Sequence, residues 1–126
     1  MSRYVKIEFH SAFADDSVED DAGFVQWPGR NVVEVLKAGL EARGYEVSDP
    51  IDAQESGWEL DISRNKKRFW LKVSLIASDE NYLNAGHMTW SLWPDQKVFD
   101  AFLADLKAIL GADGRFSRVS GFPTPA

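Results

Sequence analysis

The segment 57–76 constrains the fold more than any other part of the chain, because apolar and polar residues alternate along both of its halves. The apolar positions are Trp58, Leu60 and Ile62 in the first half and Phe69, Leu71, Val73 and Leu75 in the second. Side chains at every second residue of a strand share one face of a sheet. With the polar stretch 64–67 as a turn, the segment predicts a two-stranded antiparallel hairpin with one buried face.

The outward positions of this hairpin are charged. Glu59 and Asp61 lie on the first predicted strand, and Arg68 and Lys72 lie on the second, on either side of Trp70. Opposite charges that face each other across two strands stabilise a sheet by roughly 0.2–1 kcal/mol per pair. We therefore expect the acids of one strand to compensate the bases of the other.

Two helices are predicted on either side of the hairpin. Asn31 with Glu34 three residues later is typical of a capping box, and Gly44 is expected to end this first helix. In the second helix, Asp95 is the expected cap and Gly111 the expected end, with a broad apolar stripe between them.

Shorter strands are expected at residues 4–10, 45–47, 87–93 and 115–119, with a polar loop at 77–86. A chain of 126 residues suffices for one domain with a hydrophobic core. Two helices and several strands predict a single α+β domain over residues 1–126: a two-layer sandwich whose antiparallel sheet of four to six strands has both helices on one face. Residues 11–23 are expected to form an acidic loop and 120–126 a loose tail.

The acidic residues are concentrated in one half of the chain. From Glu8 to Asp61 there are fourteen acids and three bases, a local net charge of −11, whereas the whole chain carries −6 and the remainder therefore +5. The densest cluster consists of Asp15, Asp16, Glu19, Asp20 and Asp21. Like charges this close repel one another, so the cluster indicates contact or solubility rather than a contribution to folding.

The composition excludes several classes of function. A pI near 4.8 argues against direct binding of nucleic acid or anionic lipid. The absence of cysteine excludes disulfides, zinc–thiolate sites and thiol catalysis. No apolar run approaches the roughly 20 residues that cross a bilayer, and the first ten residues predict a strand in which apolar and charged residues alternate rather than an apolar signal sequence. We expect a cytoplasmic monomer with neither a membrane nor a nucleic acid as its direct partner.

Motifs that support catalysis are missing from the sequence. His10 and His87 have no nucleophile or orienting carboxylate in a recognisable pattern, and there is no phosphate-binding glycine loop, serine elbow or zinc-protease motif. Asp105 and Lys107 resemble part of a nuclease motif, but their positions on a helix point them apart. We expect no enzymatic activity, no cofactor and no metal site.

Three interpretations of the acidic cluster remain open: a calcium site, a solvated loop and a contact surface for a basic partner. Calcium is disfavoured, because an EF-hand loop that starts at Asp15 would place Asp20 where glycine is needed and Gln26 where a glutamate belongs. A contact surface would use the five carboxylates as partner-binding residues.

The tryptophans divide into two groups. Trp58 and Trp90 occupy apolar strand faces and are predicted to lie in the core. Trp70 is predicted on the outward face, and Trp27, like Trp93, precedes a proline at the end of an element. Trp27 and Trp70 are candidate partner-binding anchors, since exposed tryptophans often anchor interfaces. The alternative is that they cover the open side of the sheet or a helix end.

A packing pattern in the middle of the chain resembles a known group of proteins. It comprises PGR at 28–30, Leu36, GL at 39–40, RGYEV at 43–47, GWELDI at 57–62 and FWLKV at 69–73. The pattern resembles small acidic bacterial and phage-borne proteins, a group that includes anti-CRISPR inhibitors and the immunity proteins of toxin systems. The resemblance implies an inhibitor, active in a bacterial host cell, that blocks nucleic-acid binding by a CRISPR effector complex through a DNA-mimicking acidic surface. The alternative is an immunity protein that neutralises a basic toxin.

Overall fold

The computed structural model describes residues 4–77, 79–88 and 96–123, and nine strands and two helices form within them. The strands are β1 (Tyr4–Ser11), β2 (Val18–Asp20), β3 (Gly23–Gln26), β4 (Glu46–Val47), β5 (Ile51–Asp52), β6 (Trp58–Arg64), β7 (Lys67–Ala77), β8 (Glu80–Met88) and β9 (Phe116–Ser120). The helices are α1 (Arg30–Glu41) and α2 (Gln96–Ala112).

Seven of the strands form one main sheet in the order β4–β6–β7–β8–β1–β9, with β5 also paired to β6. Its neighbouring strands are antiparallel, so the predicted α+β class is confirmed. The sheet has more strands than the four to six expected, because β4 and β5 are separate two-residue strands at one edge. Strands β2 and β3 form a second, two-stranded sheet.

The register places the buried apolar side chains of β6, β7 and β8 on one face of the main sheet. Leu60 is paired with Leu71, Leu71 with Ala85, and Ala85 with Val5, and the first three of these side chains are fully buried. One residue further along the strands, Asp61, Trp70, Gly86 and Tyr4 form the corresponding row of the opposite face, which we call the open face. The predicted hairpin is therefore confirmed, with its turn at Asn65 and Lys66.

Both helices cover the apolar face. Helix α1 buries Val32, Val33, Leu36 and Leu40, and α2 buries Phe99, Phe102, Leu103, Leu106, Ile109 and Leu110. Phe102 of α2 stacks on Phe69 with ring centroids 4.3 Å apart, and His87 stacks on the same phenylalanine at 5.0 Å. His87 is buried in this aromatic cluster, where it packs as part of the core.

Several predicted boundaries are wrong. Strand β8 occupies most of the predicted loop 77–86, because Leu83, Ala85 and His87 alternate inward between polar residues of the open face. Helix α2 continues through Gly111, and Phe122 of the supposed loose tail packs against the core. The expected cap Asp95, the continuation of a strand to 93, and Trp90 and Trp93 all lie outside the described residues.

The predicted capping box at the start of α1 is also wrong. The helix begins at Arg30, and its N-cap is Gly29, whose φ of 110° lies in the left-handed region that favours glycine. Asn31 is thus inside the first turn, and its side-chain amide donates to the backbone oxygen of Ala14 at 2.7 Å. The cap comes from a distant residue of the acidic cluster, as described below.

Candidate protein-binding surface

The five clustered acids lie at the base and tip of a hairpin rather than on an irregular loop. Glu19 pairs with Phe24 and Asp20 with Gly23 across β2 and β3, and Asp21 and Ala22 form the turn. The turn is stabilised by the carboxylate of Asp20, which accepts a 2.8 Å hydrogen bond from the amide of Ala22. We call residues 15–27 the acidic hairpin; it contains five acids and no base.

Asp16 joins the acidic hairpin to the main domain. Its two carboxylate oxygens accept hydrogen bonds from the backbone amides of Gly29, at 2.9 Å, and Asn31, at 2.8 Å. The first amides of a helix have no partner within the helix, and a negative charge is favoured there by the helix dipole. Asp16 therefore serves the fold, although it belongs to the predicted partner-binding set.

Further hydrogen bonds fix the base of the acidic hairpin. The side-chain amide of Gln26 donates to the backbone oxygen of Asp16 at 2.6 Å, and the indole N–H of Trp58 donates to the backbone oxygen of Trp27 at 3.0 Å. A two-stranded hairpin is at best marginally stable by itself in water. These contacts explain how a short, exposed hairpin keeps a defined position beside α1.

The remaining four carboxylates of the cluster face solvent. Asp15 accepts a 2.9 Å hydrogen bond from the amide of Ser17, and this bond together with the Ser17 hydroxyl lowers the pKa of Asp15. Glu19 and Asp21 are exposed, and neither makes a side-chain hydrogen bond or ion pair within the described part of the chain. The acidic hairpin thus keeps four of its five charges at the surface.

Large apolar side chains are exposed among these charges. Val18 is 49% exposed, Phe24 40% and Val25 61%, and the ring of Phe24 lies against that of Trp27 at a centroid distance of 4.2 Å. Trp27 therefore packs against an exposed residue of the acidic hairpin, and its role as a partner-binding anchor stays a prediction. Three exposed apolar side chains on so short a hairpin make it a candidate interaction site.

A cleft of about 260 Å³ opens beside the base of the acidic hairpin. Its walls include Phe13, Pro28, Leu75 and Ile76, with Asp15 on one side. Ile76 is 65% exposed although it lies near the end of a long central strand. The cleft is not predicted by any local sequence pattern, because the segments that form it are far apart in the chain.

Trp70 does not belong to this surface. It is half-buried on the open face, where its indole lies across Gly86 of the neighbouring strand, and a Cβ added to Gly86 would collide with the indole ring. Leu75, which lines the cleft, lies five residues further along β7, and its side chain is on the opposite face of the sheet. The geometry favours the alternative role of Trp70, in which the aromatic ring covers the open side of the sheet.

Four of the fourteen basic residues lie close together at the other end of the main sheet. The β6–β7 turn and the residues beside it carry Arg64, Lys66, Lys67 and Arg68. Strand β7 runs from this turn to the cleft over 11 residues, a distance of about 35 Å. This basic turn therefore lies at the end of β7 opposite the cleft and the acidic hairpin.

The sequence predicted that acids of β6 would face bases of β7, and the register produces one such pair. Glu59 is paired with Lys72, whereas Asp61 is paired with Trp70 and Arg68 with Ser63. Asp61 and Arg68 consequently do not face an opposite charge directly across these two strands. The basic turn is less neutralised by its own sheet than the sequence suggested.

Titratable groups such as His10 and Tyr82 lie elsewhere in the described residues, apart from the acidic hairpin. Within the described residues no group of three or more His, Asp or Glu side chains is placed to hold a metal ion. His10 lines a small polar cavity of about 80 Å³ with Glu8, Tyr82 and Arg118. Burial, and then the charges of Glu80 and Glu8, raise the pKa of Tyr82.

Comparisons with protein family models, with curated protein sequences and with solved structures find no significant match to this chain. Among the described helices, neither combines the length and apolar character needed to span a membrane. Function must therefore be inferred from the charges, the exposed apolar side chains and the cleft of the acidic hairpin.

Proposed function

We propose that this protein is a non-enzymatic inhibitor that binds a basic, nucleic-acid-binding protein through the acidic hairpin. One observation carries the proposal: Val18, Phe24 and Val25 are exposed beside four solvent-facing carboxylates. Within the described residues, no part of the acidic hairpin belongs to the hydrophobic core. Val18, Phe24, Val25 and the four solvent-facing carboxylates are therefore available for contact with a partner.

The two kinds of side chain would have different tasks in the complex. Carboxylates that face lysines and arginines of a partner occupy the places of nucleic-acid phosphates, and they accelerate encounter through long-range attraction. The apolar side chains exclude water once contact is made and slow dissociation, as buried anchors do in other interfaces. Trp27 contributes through its ring contact with Phe24, which restricts the position of the Phe24 side chain.

The partner class that we propose is a CRISPR effector complex, whose basic groove holds target DNA or guide RNA. Size, acidity and the resemblance to anti-CRISPR inhibitors support this choice. The same surface chemistry suits a basic nuclease toxin, which would make the chain an immunity protein. The experiment below distinguishes the two.

The test measures binding of labelled target DNA by purified CRISPR effector–guide complexes in the presence of this protein. The informative variant neutralises the solvent-facing acids while preserving their shape: Asp15→Asn, Glu19→Gln, Asp20→Asn and Asp21→Asn. Asparagine keeps the side-chain oxygen that accepts from Ser17 or Ala22. Asp16 is left unchanged because it caps α1.

A matched control removes four acids away from the acidic hairpin: Glu46→Gln, Asp52→Asn, Glu55→Gln and Asp61→Asn. Both variants change the net charge equally, so a difference between them reports on position. We expect the native protein and the control to block DNA binding and the hairpin variant to lose at least tenfold in potency. If the native protein blocks no effector but inactivates a basic nuclease toxin, the immunity function replaces the one proposed.

A further inference from the structure

We infer that the cleft beside the acidic hairpin is a docking pocket for one large apolar side chain, presented by a partner segment in which lysine or arginine flanks that side chain. The inference rests on the proposed function, because it specifies which part of a basic partner the same surface takes. It adds the requirement that the partner segment carry a large apolar side chain as well as positive charge.

The shape and lining of the cleft fit a single side chain. Leu75, Ile76, Phe13 and Pro28 provide apolar walls around about 260 Å³. Small-molecule sites usually occupy roughly 300–1,000 Å³ and enclose their ligand. A cleft of this smaller size beside the acidic hairpin is suited to a leucine, methionine or phenylalanine side chain from a docked chain.

The charges around the cleft select the residues that flank the apolar side chain. Asp15 lies on its wall, and no lysine or arginine is among the described residues that line it. The guanidinium of Arg115, which lies over the Phe13 ring at 4.1 Å, is paired with Asp113. Asp79 and Glu80 follow shortly after Ala77, the last residue of β7, and are exposed. A docked segment with basic neighbours gains attraction here, whereas a segment with acidic neighbours is repelled.

The cleft is held open by contacts within the fold. Gly29 lies against Leu75, since a Cβ at Gly29 would contact that side chain at 3.4 Å, and Asp16 fixes Gly29 through its amide. The wall that carries Pro28 is therefore anchored to the wall that carries Leu75. A preformed pocket binds without a large ordering cost, which favours recognition of a short segment.

The test uses three fluorescently labelled pentapeptides as probes: Lys-Lys-Leu-Lys-Lys, Lys-Lys-Ser-Lys-Lys and Glu-Glu-Leu-Glu-Glu. Their binding to the full chain is measured by fluorescence anisotropy at low ionic strength. We expect the first peptide to bind at least tenfold more tightly than the second, because burial of a leucine side chain is worth a factor of this order or more. The third peptide should show no saturable binding.

The same peptides are then measured with Ile76→Asp and with the control Ile51→Asp. Ile51 is also an exposed isoleucine, 38% exposed, but it lies on strand β5 and does not line the cleft. We expect Ile76→Asp to abolish the preference for leucine over serine and Ile51→Asp to preserve it. Circular dichroism verifies that both variants are folded.

The outcome separates this inference from the proposed function. If the leucine and serine peptides bind native protein equally, or if neither binds at millimolar concentration, the pocket does not exist as proposed. The same holds if Ile76→Asp keeps the preference. None of these results alters the effector assay of the hairpin variant, which can fail or succeed independently.

Discussion

The carboxylate of Asp16 caps helix α1 by accepting a 2.8 Å hydrogen bond from the backbone amide of Asn31. One member of the acidic cluster is therefore fixed at the positive end of a helix dipole, where its charge is stabilised. The other four acids remain at the surface. The cluster thus divides into one residue that positions the acidic hairpin and four that are available for contact.

Replacement of this cap should destabilise the whole domain. We expect Asp16→Ala to lower the free energy of unfolding by about 1–2 kcal/mol, because the amides of Gly29 and Asn31 both lose their acceptor. Asp16→Asn should cost less, since its one remaining oxygen still accepts one bond. Urea denaturation followed by circular dichroism gives the values. Asp21→Ala is the control, and an equal loss in that variant would show that Asp16 has no special role.

The contact between Trp70 and Gly86 leads to a second prediction. A methyl group at Gly86 would collide with the indole of Trp70, so Gly86→Ala should cost about 1–3 kcal/mol of stability. In a Trp70→Leu background the same substitution should cost much less, because the indole no longer occupies the space. Thermal and urea unfolding of the four proteins in this double-mutant cycle measure the coupling. Additive effects would contradict the proposed covering role of Trp70.

The sequence predicted those parts of the fold that are formed by residues close to one another in the chain. The β6–β7 hairpin was predicted correctly because the segment 57–76 contains both the alternation of apolar and polar residues and the turn between the two strands. Strand β8 was missed because its open-face positions are polar and its pairing with β1 joins residues about 80 positions apart. The helix cap was missed for the same reason: Asp16 and Asn31 are separated by 15 residues.

The candidate site was predicted in part. The acids and Trp27 could be proposed from composition and position, since a charge cluster beside an aromatic residue is visible in the sequence. The cleft could not, because Phe13, Pro28 and Ile76 come together only when β7 packs beside the base of the acidic hairpin. Trp70 was indistinguishable from Trp27 until the register placed it over Gly86.

Tyr45 gives a third prediction, which concerns alkaline pH. Its hydroxyl donates a 2.6 Å hydrogen bond to Asp105, and burial, this bond and the charge of Asp105 raise its pKa above the ordinary 10.0. A raised pKa in the folded state favours the neutral phenol there. The resulting stabilisation is complete below pH 10 and is lost as the pH rises toward the pKa of the folded protein.

The measurement compares the free energy of unfolding of native protein and Tyr45→Phe at pH 8 and pH 11. Tyr45→Phe should be less stable at pH 8, since Asp105 loses a hydrogen bond. The difference should shrink at pH 11, because the native protein alone must keep this hydroxyl protonated in order to fold. A constant difference at both pH values would contradict the assignment.

The position of the basic turn, at the end of β7 opposite the acidic hairpin, yields the last prediction, which concerns binding rates. For the native protein and an effector that it inhibits, neutralisation of the four solvent-facing acids should lower the association rate constant about tenfold at low salt, with little change in dissociation. Lys66→Gln together with Lys67→Gln should raise the association rate slightly, since two like charges that repel a basic partner are removed.

Ile76→Asp should act mainly on the dissociation rate, because Ile76 lines the cleft. Surface plasmon resonance at two salt concentrations separates these effects, and a hairpin variant that alters only dissociation would refute electrostatic steering by the acidic hairpin.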